Sequence, residues 1–105
     1  MKKKVTNALI ELGIPVSIKG FQYIIDTICL MQDKTWRNGK ITALYYKVAD
    51  MNGTTFSKVE RAIRHAFSVA VSKGNPEIVN KYLTFQNTTN GNLLHTFYLR
   101  LTEDE

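Results

Sequence analysis

The sequence predicts an all-α fold, a compact bundle of about six helices that contains a helix-turn-helix. Three observations predict it. Apolar residues recur at helical spacing in nearly every segment. Glycine, proline and asparagine punctuate the chain at intervals that suit short globular helices. The one stretch that tolerates extended structure, 93–101, has no partner strand elsewhere. With 105 residues, 44% of them hydrophobic, the chain fits a single domain, 1–105, around one core.

The elements follow in order. Over 2–12, Val5, Leu9 and Leu12 stand at i, i+4, i+7 with Ala8 beside them; Gly13 and Pro15 end the segment. Ser17 or Gly20 opens the second helix, where Phe21, Ile24, Ile25, Ile28, Cys29 and Gln32 keep a 3.6-residue period to about Lys34. Asn38-Gly39 signals a turn. A third helix fits 41–51, with Leu44, Tyr45, Val48 and Ala49 on its buried side. Asn52-Gly53 can take the left-handed conformation that closes it. Thr54 or Thr55 can cap the next helix, which runs to about Lys73, although Ser57 and Glu60 also have capping-box spacing. Pro76 suits the first position of a short helix over about 76–84. A polar loop, 85–92, precedes the last segment. There Leu94, Phe97, Tyr98 and Leu101 favour a helix, with Asn90 or Asn92 as its cap.

Composition excludes several classes of function. It is not that of a disordered chain. Apolar runs are broken by Asp26, Gln32 or Lys47 well short of the roughly 20 residues that span a bilayer, so no membrane role is expected. The basic start, Lys2-Lys3-Lys4, is followed by Thr6, Asn7 and Glu11 where a signal peptide would be apolar. A cytoplasmic protein is expected. The single cysteine, Cys29, can form neither an intrachain disulfide nor a cysteine-based zinc site, and its neighbours make it a small buried apolar residue. No cofactor, metal site or catalytic residue is expected: the sequence has no phosphate-cradling glycine loop, paired carboxylates or nucleophile–base spacing. The net charge is +5, and three of the nine acids (Glu103, Asp104 and Glu105) are confined to the end of the chain. The body is therefore more basic than the total, a moderate push toward a polyanionic partner.

Residues 41–73 read as helix, glycine-containing turn, helix. In such motifs the second helix, here about 56–73, enters the major groove and its N-terminal residues face the bases. On a helical wheel Val59, Ile63, Ala66, Phe67 and Ala70 form the buried stripe, with Ala62 beside it. Ser57, Glu60, Arg61, Arg64 and Ser68 share the opposite face. Burying such apolar side chains contributes about 1.5–3 kcal/mol each, which fixes where the polar face points. Arg61 can fork onto guanine O6 and N7, and Glu60 can accept from a cytosine N4 amine. Arg64 and Lys58 suit phosphate contacts that set register. The same pattern also fits ordinary surface, because Glu60 and Arg64 at i, i+4 commonly form a solvated salt bridge. His65 adjoins Arg64 and fits a structural or phosphate role better than catalysis or metal binding. His95 has no carboxylate neighbour in sequence. Tyr45 and Tyr46 read as packing and rim residues.

The run "TTFSKVERAIRHAFSVAVSKGN", preceded by "GKITALYYKVADMNG", resembles the C-terminal DNA-binding effector domain of the stage-zero sporulation master regulator family, response regulators of spore-forming bacteria. The phrase "IELGIPVSIKGFQYI" resembles that domain's opening. The resemblance is in register from about residue 5 to residue 75 and weak from Tyr82 onward. It implies six helices around a helix-turn-helix, and transcriptional regulation through binding to short double-stranded DNA boxes with a CG-centred core, often by tandem molecules head to tail. It implies base contacts from Glu60 and Arg61. Lys58 falls at a further base-contacting position that is arginine in the well-known members; lysine offers a point charge in place of a two-pronged fork. Phosphate contacts are implied for Ser57, Arg64, His65 and the start of the second helix, Ile18-Lys19. Free N–H groups at a helix start favour a phosphate there. Ser17 stands where the family often has histidine.

Regulators of this family carry a receiver domain with a phosphorylatable aspartate ahead of the effector, and these 105 residues leave no room for one. A stand-alone protein of this kind is expected to bind constitutively, weakly and by concentration, or with help from another protein; a domain cut from a longer chain is the alternative. A second reading belongs to another class: an interaction module that pairs with, or competes against, full-length family members.

Overall fold

The structure, a computed structural model, describes residues 1–103; Asp104 and Glu105, two of the three terminal acids, lie outside the described residues. It is all-helical, with seven helices among the described residues: α1 Lys2–Glu11, α2 Lys19–Leu30, α3 Lys34–Asn38, α4 Ile41–Met51, α5 Phe56–Lys73, α6 Pro76–Tyr82 and α7 Asn90–Thr102. The radius of gyration is 12.5 Å, near the value of about 13 Å for a compact chain of this length. None of these helices is long and apolar enough to cross a membrane.

Every helix but the short α3 buries apolar residues in the core. In α1, Val5, Ala8 and Leu9 are buried, and Leu12 follows them into the core. Gly13, at φ 78°, then turns the chain into the left-handed region, which glycine enters without steric cost. In α2, Phe21, Ile24, Ile25 and Ile28 are buried, and the buried Thr27 hydroxyl donates to the Tyr23 carbonyl at 2.7 Å. That bond answers the cost of burying a polar group. The central helix α5 buries Val59, Ile63, Ala66, Phe67 and Ala70 and packs against α2, α4, α6 and α7. Phe97 of α7 meets Phe67 and Tyr82 edge to face, with ring centroids 6.5 and 5.9 Å away, an arrangement that aromatic quadrupoles favour.

The helix expected to continue to about Lys34 is divided in two. α2 stops at Leu30, and the Gln32 and Asp33 N–H groups bond back to Cys29 and Leu30 in a tighter turn. The Asp33 side chain then accepts from the Thr35 N–H at 2.8 Å and starts α3. A short acceptor side chain competes with the backbone for donors in this way and restarts a helix. Stretch 93–101 is helical, and its cap is Thr89, one residue before Asn90 and three before Asn92, the expected caps. Cys29 is half-buried at the margin of the core; burial is the main cause that pushes its thiol pKa up.

Candidate nucleic-acid interface

α4 and α5 are joined by residues 52–55. Gly53 at φ 60° makes the turn, and the Thr54 N–H donates to the Ala49 carbonyl at 3.0 Å. Thr55 caps α5, its hydroxyl accepting from the Lys58 N–H at 3.3 Å; of the three expected candidates, this one holds the cap. The turn is also tied to α2. Asn52 Nδ2 donates to Asp26 Oδ2 at 2.9 Å and to the Val48 carbonyl at 2.8 Å. Gln22 Nε2 donates to the other carboxylate oxygen of Asp26 at 2.9 Å. These bonds fix the start of α5 relative to two other helices.

With its apolar stripe buried, α5 turns Ser57, Lys58, Arg61, Arg64, His65 and Ser68 to solvent, and Glu60 is half-exposed. These residues divide between two flanks. On one flank Lys58, Arg61 and His65 face Lys19 and Tyr23 of α2 across an open groove of about 500 Å³, closed at one end by 52–54. None of the groove's lining residues is acidic. No ion pair among the described residues engages Lys19, Lys58 or Arg61, so this wall presents uncompensated positive charge. Ile18 is the half-buried N-cap residue of α2 and gives it no side-chain cap. The first N–H groups of a helix lack intrahelical partners, and those of α2 begin at Lys19, which lines the groove.

On the other flank Arg64 Nη1 donates to Glu60 Oε1 at 2.8 Å. The Arg64 side chain is 60% exposed and that of Glu60 29%, so the pair is a surface bridge worth about 0.3–0.5 kcal/mol. Tyr45 of α4 and residues 88–91 wall this side. Asn90 Nδ2 donates to the Glu60 carbonyl at 3.0 Å, and its side chain also reaches the Tyr45 hydroxyl. Burial, ahead of other causes, raises the pKa of that hydroxyl.

The sequence-derived residues thus fall into two sets. Lys19, Lys58, Arg61 and His65 line one groove; Glu60 and Arg64 pair on the other flank; Ser57 lies at the exposed start of α5; and Ile18 packs partly into the core. Sequence reasoning missed Asn90, Asp26 and Asn52 as the groups that hold this surface. Asn90 carried a signal only as a possible cap. His95 lines neither flank: Nδ1 is 2.9 Å from the Gly91 carbonyl and Nε2 3.2 Å from that of Arg37. Among the described residues no three of His, Cys, Asp and Glu gather as a metal site.

A helical bundle that turns one basic helix outward beside a cationic groove has the form of a small polyanion-binding domain. Residues 5–101 match the family described as "Sporulation initiation factor Spo0A C terminal", and the chain belongs to that family. It is a family of DNA-binding domains of transcription regulators, not of enzymes. The match extends through α7, beyond the part that resembles the family by eye.

Proposed function

We propose that residues 1–105 form one effector-type domain that binds double-stranded DNA sequence-specifically, with α4, the 52–55 turn and α5 as its helix-turn-helix and α5 in the major groove. The observation that carries this reading is the placement of Arg61, exposed on α5, in the wall of the cationic groove and beside the Glu60–Arg64 pair. Arg61 forks onto a guanine. Glu60 uses Oε1 for Arg64, which leaves Oε2 to accept from a cytosine amine, since a carboxylate has lone pairs on both oxygens. A Glu-Arg pair so used reads a C and a G, in keeping with a CG-centred box. Lys58 reaches a base edge as a point charge. Ser57, Arg64, His65 and the Ile18-Lys19 start of α2 hold phosphates and set register.

The protein acts in transcriptional regulation in the bacterial cytoplasm, at the nucleoid. Tandem boxes allow copies to sit head to tail. Selection of bound duplexes from a random pool, with the purified chain at stated salt, tests the reading. Enrichment of a short box with a CG core supports it. A chain that enriches nothing, yet co-purifies with a full-length family member, is an interaction module.

A further inference from the structure

Asn90 is the first residue of α7, 30 positions from Glu60, yet its side-chain amide donates to the Glu60 main-chain carbonyl. It is half-buried and lies against the hydroxyl of Tyr45, itself buried on α4. One asparagine therefore touches all three helices that meet behind the Glu60–Arg64 pair. Glu60 and Arg61 adjoin this bond, and a shift or roll of α5 there moves both side chains together. Forked base contacts tolerate little displacement, because both hydrogen bonds must be short and aligned at once.

We infer that Asn90 is a positioning residue for base reading: it touches no DNA, and holds the Glu60–Arg61 turn of α5 at the depth and roll that its base contacts require. This rests on the reading of α5 as the recognition helix. It assigns α7, which the sequence marks only as a packing helix, a part in specificity. The cap of α7 is Thr89, whose hydroxyl accepts from the Asn92 N–H, so the Asn90 side chain can be removed without removing the cap.

The test is a double-mutant cycle. Wild type, Asn90→Ala, Glu60→Gln and the double variant are titrated against the selected box and against random duplex at one salt concentration. Asn90→Ala is expected to weaken the box roughly tenfold, to change random duplex less than about twofold, and to cost clearly less in the Glu60→Gln background, where only the Arg61 contact is left to misplace. Thr89→Ala is expected to lower the melting temperature while leaving base choice intact. Asn90→Ser, too short to reach the carbonyl, is read the same way if Asn90→Ala does not fold. Equal losses on box and random duplex, or additive losses with Glu60→Gln, overturn the inference while wild type still prefers the box. A wild type without preference overturns the recognition-helix reading, and the inference with it.

Discussion

Gly20 of α2 sits directly against the Ala62 carbonyl of α5. A Cβ at position 20 would overlap that oxygen and lie 2.7 Å from the Ala66 Cβ. The absence of a side chain lets the first turn of α2 approach α5 closely, and this sets the width of the groove between Lys19 and Arg61. Gly20→Ala must push the helices apart, because its neighbour is backbone. Overpacking of this kind costs about 1–3 kcal/mol, and each kcal/mol lowers the melting temperature by about 4–8 °C in a domain of this size. Thermal unfolding checks this; an unchanged melting temperature contradicts the close contact.

Lys58→Arg supplies a fork where the chain has a point charge. The variant is expected to gain affinity for boxes with guanine at one position, by about 1–3 kcal/mol, and to sharpen base choice there. Comparing the boxes selected by the two proteins shows whether that position changes.

Arg64→Ala removes the proposed phosphate contact and the bridge to Glu60. DNA affinity is expected to fall by a similar factor on every sequence, and the slope of log K against log salt to shrink by about 1. Stability falls by no more than about 0.5 kcal/mol, because the pair is exposed. Salt titrations on box and random duplex measure the first effect, and urea denaturation the second.

Burial raises the hydroxyl pKa of Tyr45 above the ordinary 10.0; burial, followed by a hydrogen bond to Glu11, does the same for Tyr82. Above about pH 10 the unfolded chain releases these protons before the folded chain does. The folded state then binds more protons, so stability falls as pH rises through that range and is unaffected by these groups below it. Tyr45→Phe removes one of the two contributions. Its melting temperature is expected to fall less steeply from pH 9.5 to 11 than that of wild type, read by circular dichroism (the pH range brackets a value of about 10).

Much of this architecture is legible in one sequence, for a physical reason. The stripes of α4 and α5 were readable residue by residue because an amphipathic helix writes its buried face at a fixed period; Val59, Ile63, Ala66, Phe67 and Ala70 are all buried. α3 was not legible, because a single side-chain bond from Asp33 starts it and no apolar stripe marks it. The wheel also placed Glu60, Arg61 and Arg64 on one undivided face. The structure divides that face because Tyr45 and Asn90 wall one side and α2 the other, and partners so distant in sequence leave no local pattern. The residues proposed to touch DNA were named from local chemistry and family resemblance. The groups that hold them, Asp26 with Asn52 and Asn90 with Glu60, had no such signal.

In the proposed binding mode α5 reads bases through Arg61. The most direct measurement is the affinity of Arg61→Ala for the selected box, for the box altered at each position, and for random duplex, at one salt concentration. If Arg61 reads a base, the variant loses about 1–3 kcal/mol on the box, becomes indifferent to the base at one position, and loses much less on random duplex. Equal losses on all three, with base preference retained at every position, would contradict it.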